Sequence, residues 1–171
     1  MRRGFRKLVG FVEVDETLVG GKEENKHWDK KNNNERGSVG KIPVVGAFSR
    51  KKGAVVAKVI ASVDAQTLID FILDTVSDNV SIIAIDESRG YDRLDVDGWP
   101  YKTVYHSVGQ YVNGNVHTNT IEGFWSLVNR VIMGTFLKVS AKYLPLYVAE
   151  FEFRYNNRKN ADIFEAVVAT C

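Results

Sequence analysis

Carboxylates at the ends of apolar strands are the groups in this sequence best placed to do chemistry. The stretch "FVEVDETLVGG", residues 11–21, alternates as a strand does and then breaks at a glycine pair. Alternate residues of a strand share a face, so Glu13 and Asp15 point one way while Val12, Val14 and Glu16 point the other. An acid on a buried face needs a basic side chain or a bound cation, because burying a lone charge costs several kcal/mol. Asp86 closes a second apolar run, "SIIAIDE", at a strand's C-terminal end, where ligands collect in open α/β sheets. Glu122 lies early in a helical pattern, "HTNTIEGFWS". Three carboxylates drawn from two strand ends and one helix make a hard-oxygen site suited to Mg²⁺ or Mn²⁺ and not to zinc. Two such ions about 3.5–4 Å apart clamp the attacking and leaving oxygens of a phosphodiester displacement. Metal-assisted phosphoryl transfer on nucleic acid is the implied reaction class.

The neighbouring acids fit other roles. Glu13 is expected to support a neighbouring metal ligand or to sit in an ion pair, and Glu16 and Glu87 to be structural. Asp92, Asp95 and Asp97 hint at a calcium loop. With Gly98 as its turn glycine, however, Arg93 takes the first ligand position and Val104 the place of the bidentate glutamate. "GSVGKI" misses a phosphate-binding loop, with Ile42 for the Ser/Thr and Glu35 for the first glycine.

Composition narrows the class. The chain has 171 residues, 44% hydrophobic and 26% charged, enough for one globular domain with a real core. No apolar run is long enough to span a bilayer and "MRRGFRKLVG" lacks a signal core, so a cytoplasmic protein with no membrane partner is expected. The single Cys171 forms no internal disulfide and no cysteine-based zinc site, which argues against redox chemistry. Net charge is only +2, but residues 1–58 carry +7 and residues 59–171 carry −5. The basic clusters "RRGFRK", "KHWDKKNNNERG" and "SRKK" are candidate phosphate contacts or solvated loops. Lys26, Lys30, Lys31, Arg50 and Lys51 are the candidates they supply for DNA binding.

These groups must be positioned by regular elements. Residues 8–15, "VGKIPVVGAFSR" and "AVVAKVIASV" suggest three antiparallel strands, the last two joined through "KKG" with Gly53 in the turn. "DAQTLIDFILDTV" predicts a helix behind Asp64 as N-cap, with Leu68, Ile69, Ile72, Leu73 and Val76 at helical spacing. "NVSIIAIDE" and "YKTVYHS" follow as strands. "TNTIEGFWSLVNRVI" and "KYLPLYVAEFEFRYNNRK" are helical, the second with Leu144, Tyr147, Val148, Phe151 and Tyr155 on one stripe. The order βββαβ(α)βαα gives an α/β fold with a mixed sheet whose first and fourth strands can be central neighbours. Phe124 and Trp125 are expected in the core. The expected division is a basic tail 1–8, a catalytic domain 9–160 with a polar loop insertion 22–38, and a C-terminal tail 161–171.

The blocks "VEVDETLVGGK", "AIDESRGY", "HTNTIEGFWSLVNR" and "AEFEFRYNNR" resemble the signatures of DDE-type insertion-sequence transposases, in particular the group with the ISXO-like transposase domain. Four blocks in the right order are specific, and the interval from Asp86 to Glu122 is one often seen between the second and third acids of that superfamily. The resemblance implies a ribonuclease-H-like fold with helices on both faces of the sheet. It carries the triad onto Asp15, Asp86 and Glu122, with Asp15 bridging two Mg²⁺ or Mn²⁺ ions and the other two holding one each. It further implies hydrolytic nicking of element ends, then attack of the freed 3′ hydroxyl on target DNA, by a homodimer or higher oligomer associated with the nucleoid. Asn119, Asn129, Arg130 and Arg158 join the expected DNA contacts, although the family usually has Lys where this chain has Asn129, and Arg158 could instead cap the last helix. His117 could position phosphate or water, or order the helix start. Relatives usually carry an N-terminal DNA-binding region with zinc-binding cysteines, and none precedes residue 9, so weakly selective, salt-sensitive DNA binding is expected. A nuclease without strand transfer, or an inactive binding remnant, are the alternative readings.

Overall fold

The alternation in "LVGFVEVDETLV" produces one long strand, β1 (Leu8–Val19), which runs past the expected end at residue 15. The computed structural model describes residues 7–20, 40–86, 98–104, 117–136 and 139–168. The polar loop 22–38 with Lys26, Lys30 and Lys31, the residue Glu87, the acids of 92–97 and the bracketed helix before residue 98 lie outside them.

β2 (Ile42–Ser49) and β3 (Ala54–Val59) form the expected hairpin, and Gly53 turns it with φ +62°, a conformation that costs glycine nothing. α1 (Ala65–Thr75) starts where expected: Asp64 is extended and its carboxylate accepts from the Thr67 amide at 2.9 Å. Ser62 and Thr67 also hydrogen-bond this carboxylate and hold its pKa at about 2. Two members of the predicted apolar stripe fall elsewhere. Leu73 is 42% exposed because Phe71, Ile72 and Thr75 occupy the buried face, and Val76 is buried as the first residue of β4 (Val76–Asp86) instead of in the helix. β5 (Tyr101–Val104) is the described part of the predicted strand "YKTVYHS", whose residues 105–107 lie outside the described ones.

The sheet order is β3-β2-β1-β4-β5, with β1 antiparallel to β2 and parallel to β4. β1 and β4 are therefore the central neighbours that the element order suggested. Most apolar strand residues divide between two layers, with Ala84, Val104, Phe11 and Ile82 forming a smaller third cluster. Val12, Val14, Val45, Ala47, Ile83 and Ile85 pack with α1 on one face. On the other, Val44, Phe48 and Val55 pack with α2 (Asn119–Val131) and α3 (Leu144–Asn156). Phe124 and Trp125 are core residues as expected, and Tyr147 and Tyr155 of the α3 stripe are half-buried against them. A π-helical turn, Ile132–Phe136, continues α2, and the expected tail holds a short helix, α4 (Ile163–Val168).

The outer edge of β3 is covered by α3. Asn156 accepts from the Val55 amide at 2.7 Å and donates to the Val55 carbonyl at 2.8 Å, while Glu152 accepts from the Ala57 amide at 3.0 Å. Burial raises the Glu152 carboxyl above its ordinary value, and the Ala57 amide partly offsets this.

Candidate active site

Strand pairing brings the first two acids together. Val14 pairs with Ile85 across the parallel β1–β4 ladder, so Asp15 and Asp86 stand side by side one residue further along. Their side chains share the sheet face that α2 covers, since Val14 and Ile85 take the opposite one. Glu122 comes from the first turn of α2, where the Thr118 hydroxyl donates to its carboxylate at 2.6 Å. All three acids are half-buried. The Asp15 carboxyl is pushed up to about 7, first by burial, then by the charge of Glu16, and further by Asp86 and Glu122; a backbone hydrogen bond at Glu16 opposes the rise.

That shift has a consequence for stability. The unfolded chain releases the Asp15 proton near pH 3.8, the folded chain near 7, so between these values the folded state holds more protons. Stability of the metal-free protein therefore falls as pH rises from about 4 to about 7 and levels off above. Melting curves recorded in chelator across that range are expected to show the fall, and Asp15→Asn to flatten it.

Glu13 sits two residues before Asp15 on the same face and is fully buried. It accepts from the amides of Thr120 at 2.8 Å and Ile121 at 3.1 Å, and from the Thr120 hydroxyl at 3.0 Å. These amides are the second and third of α2, which Thr118 leaves without a side-chain cap. A strand carboxylate thus caps a helix that follows it by more than a hundred residues. Its charge is met by Arg50, whose Nε donates at 2.7 Å. The same guanidinium donates to the His117 carbonyl at 3.0 Å and lies 3.8 Å over the Phe11 ring. His117 Nδ1 is 3.6 Å from Glu13.

Further along, the Asn129 amide donates to the Thr17 hydroxyl at 3.4 Å. Nine residues of helix and four of strand both advance about 13 Å, so α2 lies along β1, tied at each end, with Asp15 midway. Gly46 makes the close approach possible. It pairs with Asp15, and a Cβ there would meet Trp125 Cζ2 at 2.5 Å and Ile121 Cδ1 at 3.1 Å. Gly46→Ala is expected to cost about 1–3 kcal/mol through overpacking, seen as a lower melting temperature.

The expected DNA contacts separate into two groups. Lys51, Asn119 and Arg130 are exposed. Arg50 turns inward onto Glu13, whose buried carboxylate needs a cation. Arg158 donates to the carbonyls of Tyr155 at 2.6 Å and Gly53 at 3.0 Å, which caps α3 and pins the β2–β3 turn. Asn129 is half-buried against Thr17. Among the described residues, no three His, Cys, Asp or Glu side chains are gathered tightly enough to enclose a metal ion.

A profile of the ISXO2-like transposase domain matches residues 7–156, nearly the whole chain. The chain belongs to this transposase family. The fold agrees: the catalytic core domain of BIV integrase superposes with a TM-score of 0.53 over 84% of this chain and 81% of that one, at 12% identity. The sheet of this transposase domain is thus ribonuclease-H-like. An uncharacterized protein in transposable element ISH50 of Halobacterium salinarum is 40% identical over 70 residues, which are 40% of this chain and 24% of that protein. The transposase domain has no described helix long and apolar enough to cross a membrane.

Proposed function

We propose that this chain is the catalytic domain of an insertion-element transposase that cuts and joins DNA strands, with Asp15, Asp86 and Glu122 holding two Mg²⁺ or Mn²⁺ ions. The observation that carries the reading is the β1–β4 register that sets Asp15 beside Asp86 on the sheet face where α2 brings Glu122, and the raised proton affinity of Asp15 supports it. The Asp15 carboxyl is buried beside like charges from β4 and α2, and such a group takes up either a proton or a cation. The donor set fits the ions, since all three groups are carboxylates and divalent cations of this kind prefer oxygen. When bound, the cations would neutralise charge on the scissile phosphate and favour deprotonation of the attacking water or 3′ hydroxyl.

The chain's own residues supply placement. Asp15 and Asp86 present adjacent carboxylates from a rigid parallel ladder, and Glu122 approaches from a helix mounted on the same strand. Lys51, Asn119 and Arg130 are exposed and can meet the phosphate backbone in this reading, and such contacts weaken with salt. Lys26, Lys30 and Lys31, outside the described residues, are further candidates for the same role. Element ends and target DNA are the substrates, and a dimer or higher oligomer forms on them, in the cytoplasm at the nucleoid.

The test is an element-end duplex incubated with Mg²⁺ or Mn²⁺. Nicked ends and products joined to target DNA are expected. Nicking without joining would reduce the reading to a nuclease, and cleavage that persists in chelator would overturn it.

A further inference from the structure

We infer that Glu13 and Arg50 are positioning residues that set the place of Glu122 relative to Asp15 and Asp86; the inference rests on the function proposed above. Glu122 reaches the site only through the placement of α2, and the start of α2 is fixed by Glu13. Its fully buried carboxylate takes two helix amides that would otherwise lack acceptors, and it uses the positive end of the helix for attraction. The strand that carries this cap carries Asp15 two residues later, so cap and first acid move as one body. Arg50 makes the arrangement tolerable. A buried carboxylate requires a partner, and the guanidinium supplies it while also binding the carbonyl of His117, just before the helix.

The geometry separates this role from DNA contact and from direct metal binding. Glu13 has no exposed surface, and its two oxygens are engaged by Arg50, Thr120 and Ile121. It acts on the reaction through Glu122. Altered supports of metal ligands typically weaken metal affinity by about 10–100-fold, whereas a role in stability alone leaves metal dependence where it was.

The experiment uses the full chain, supercoiled plasmid as substrate and Mn²⁺ as the metal, with Glu13→Gln, Arg50→Gln and Asp86→Asn compared with the wild type. Nicking rate is measured against Mn²⁺ concentration, metal-free DNA affinity by filter binding and folding by melting temperature. For Glu13→Gln, the Mn²⁺ concentration at half-maximal nicking should rise at least about tenfold with DNA affinity changed less than about twofold. Arg50→Gln should shift the same way, and it carries the test if Glu13→Gln fails to fold. Folded variants with a lower melting temperature and unchanged Mn²⁺ dependence would overturn the inference while leaving the proposed function standing. A wild type that does not nick, or that nicks no faster than Asp86→Asn, would remove the proposed function and the inference with it.

Discussion

Asp86→Asn is expected to leave the protein folded and to lower metal-dependent strand cleavage by at least about 10²–10³-fold, the usual cost of deleting one electrostatic contributor to a transition state. Asparagine matches the shape of aspartate, and Asp86 is the half-buried last residue of β4, so the ladder with β1 is undisturbed. What changes is charge. Asp86 helps raise the Asp15 carboxyl, so its removal relieves repulsion and the metal-free variant should melt at or slightly above the wild-type temperature. The effect of metal should be the reverse. A ligand that binds only the folded state adds about 2.7 kcal/mol at a concentration of 100 Kd, or roughly 5–10 °C for a chain of this size, and most of that gain should vanish in Asp86→Asn. Single-turnover nicking and melting with and without Mg²⁺ measure both. Normal cleavage by the variant would exclude Asp86 from the site.

Phe124→Ala should give the largest loss of stability, about 3–5 kcal/mol. Phe124 is 1% exposed, two residues after Glu122, and its ring meets Trp125 at 5.0 Å and Tyr155 at 5.1 Å between centroids. Truncation opens a cavity where α2 meets α3, and it deletes aromatic contacts on both sides. The expected fall in melting temperature is roughly 6–20 °C. With total stability typically about 5–15 kcal/mol, a measurable unfolded fraction at 37 °C is expected. Denaturant unfolding measures it. A change below about 1 kcal/mol would mean that the layer collapses around the gap.

The elements that position the site were legible wherever local pattern and tertiary demand agree. Alternation announces β1, β-branched runs around a turn glycine announce β2 and β3, Asp64 announces α1, and the element order follows from the switch between periods of two and 3.6. Reading failed where one signal served two structures. Val76 fits a helical stripe, yet the backbone turns extended there and the same burial is met within β4. The π-helical turn after α2 left no pattern to find. In the candidate site, residue type and strand end point to Asp15 and Asp86, while Glu122 rests on a helical pattern and on the family resemblance. The contacts of Arg50 and Asn129 are not legible in the sequence, and for Arg158 a helix cap and a DNA contact stay side by side, since a cationic or amide side chain looks alike whether it meets phosphate, a buried carboxylate or a helix end. Only their three-dimensional neighbours, Glu13, Tyr155 and Thr17, tell these apart. For Glu13 the signal was a buried-face acid two residues before another. One partner lay 37 residues away and the others more than a hundred.

The cover that α3 lays along β3 bears on how this chain behaves at high concentration. An outer strand with open amides is a template on which another chain can add its own strand, the first step toward aggregates. At Val55 and Ala57 those sites are already taken by Asn156 and Glu152. A protonated Glu152 still offers a carbonyl oxygen to Ala57, so the protection outlasts mild acid. Strand-on-strand growth is thereby closed at this margin, and α3 must peel away before it can begin.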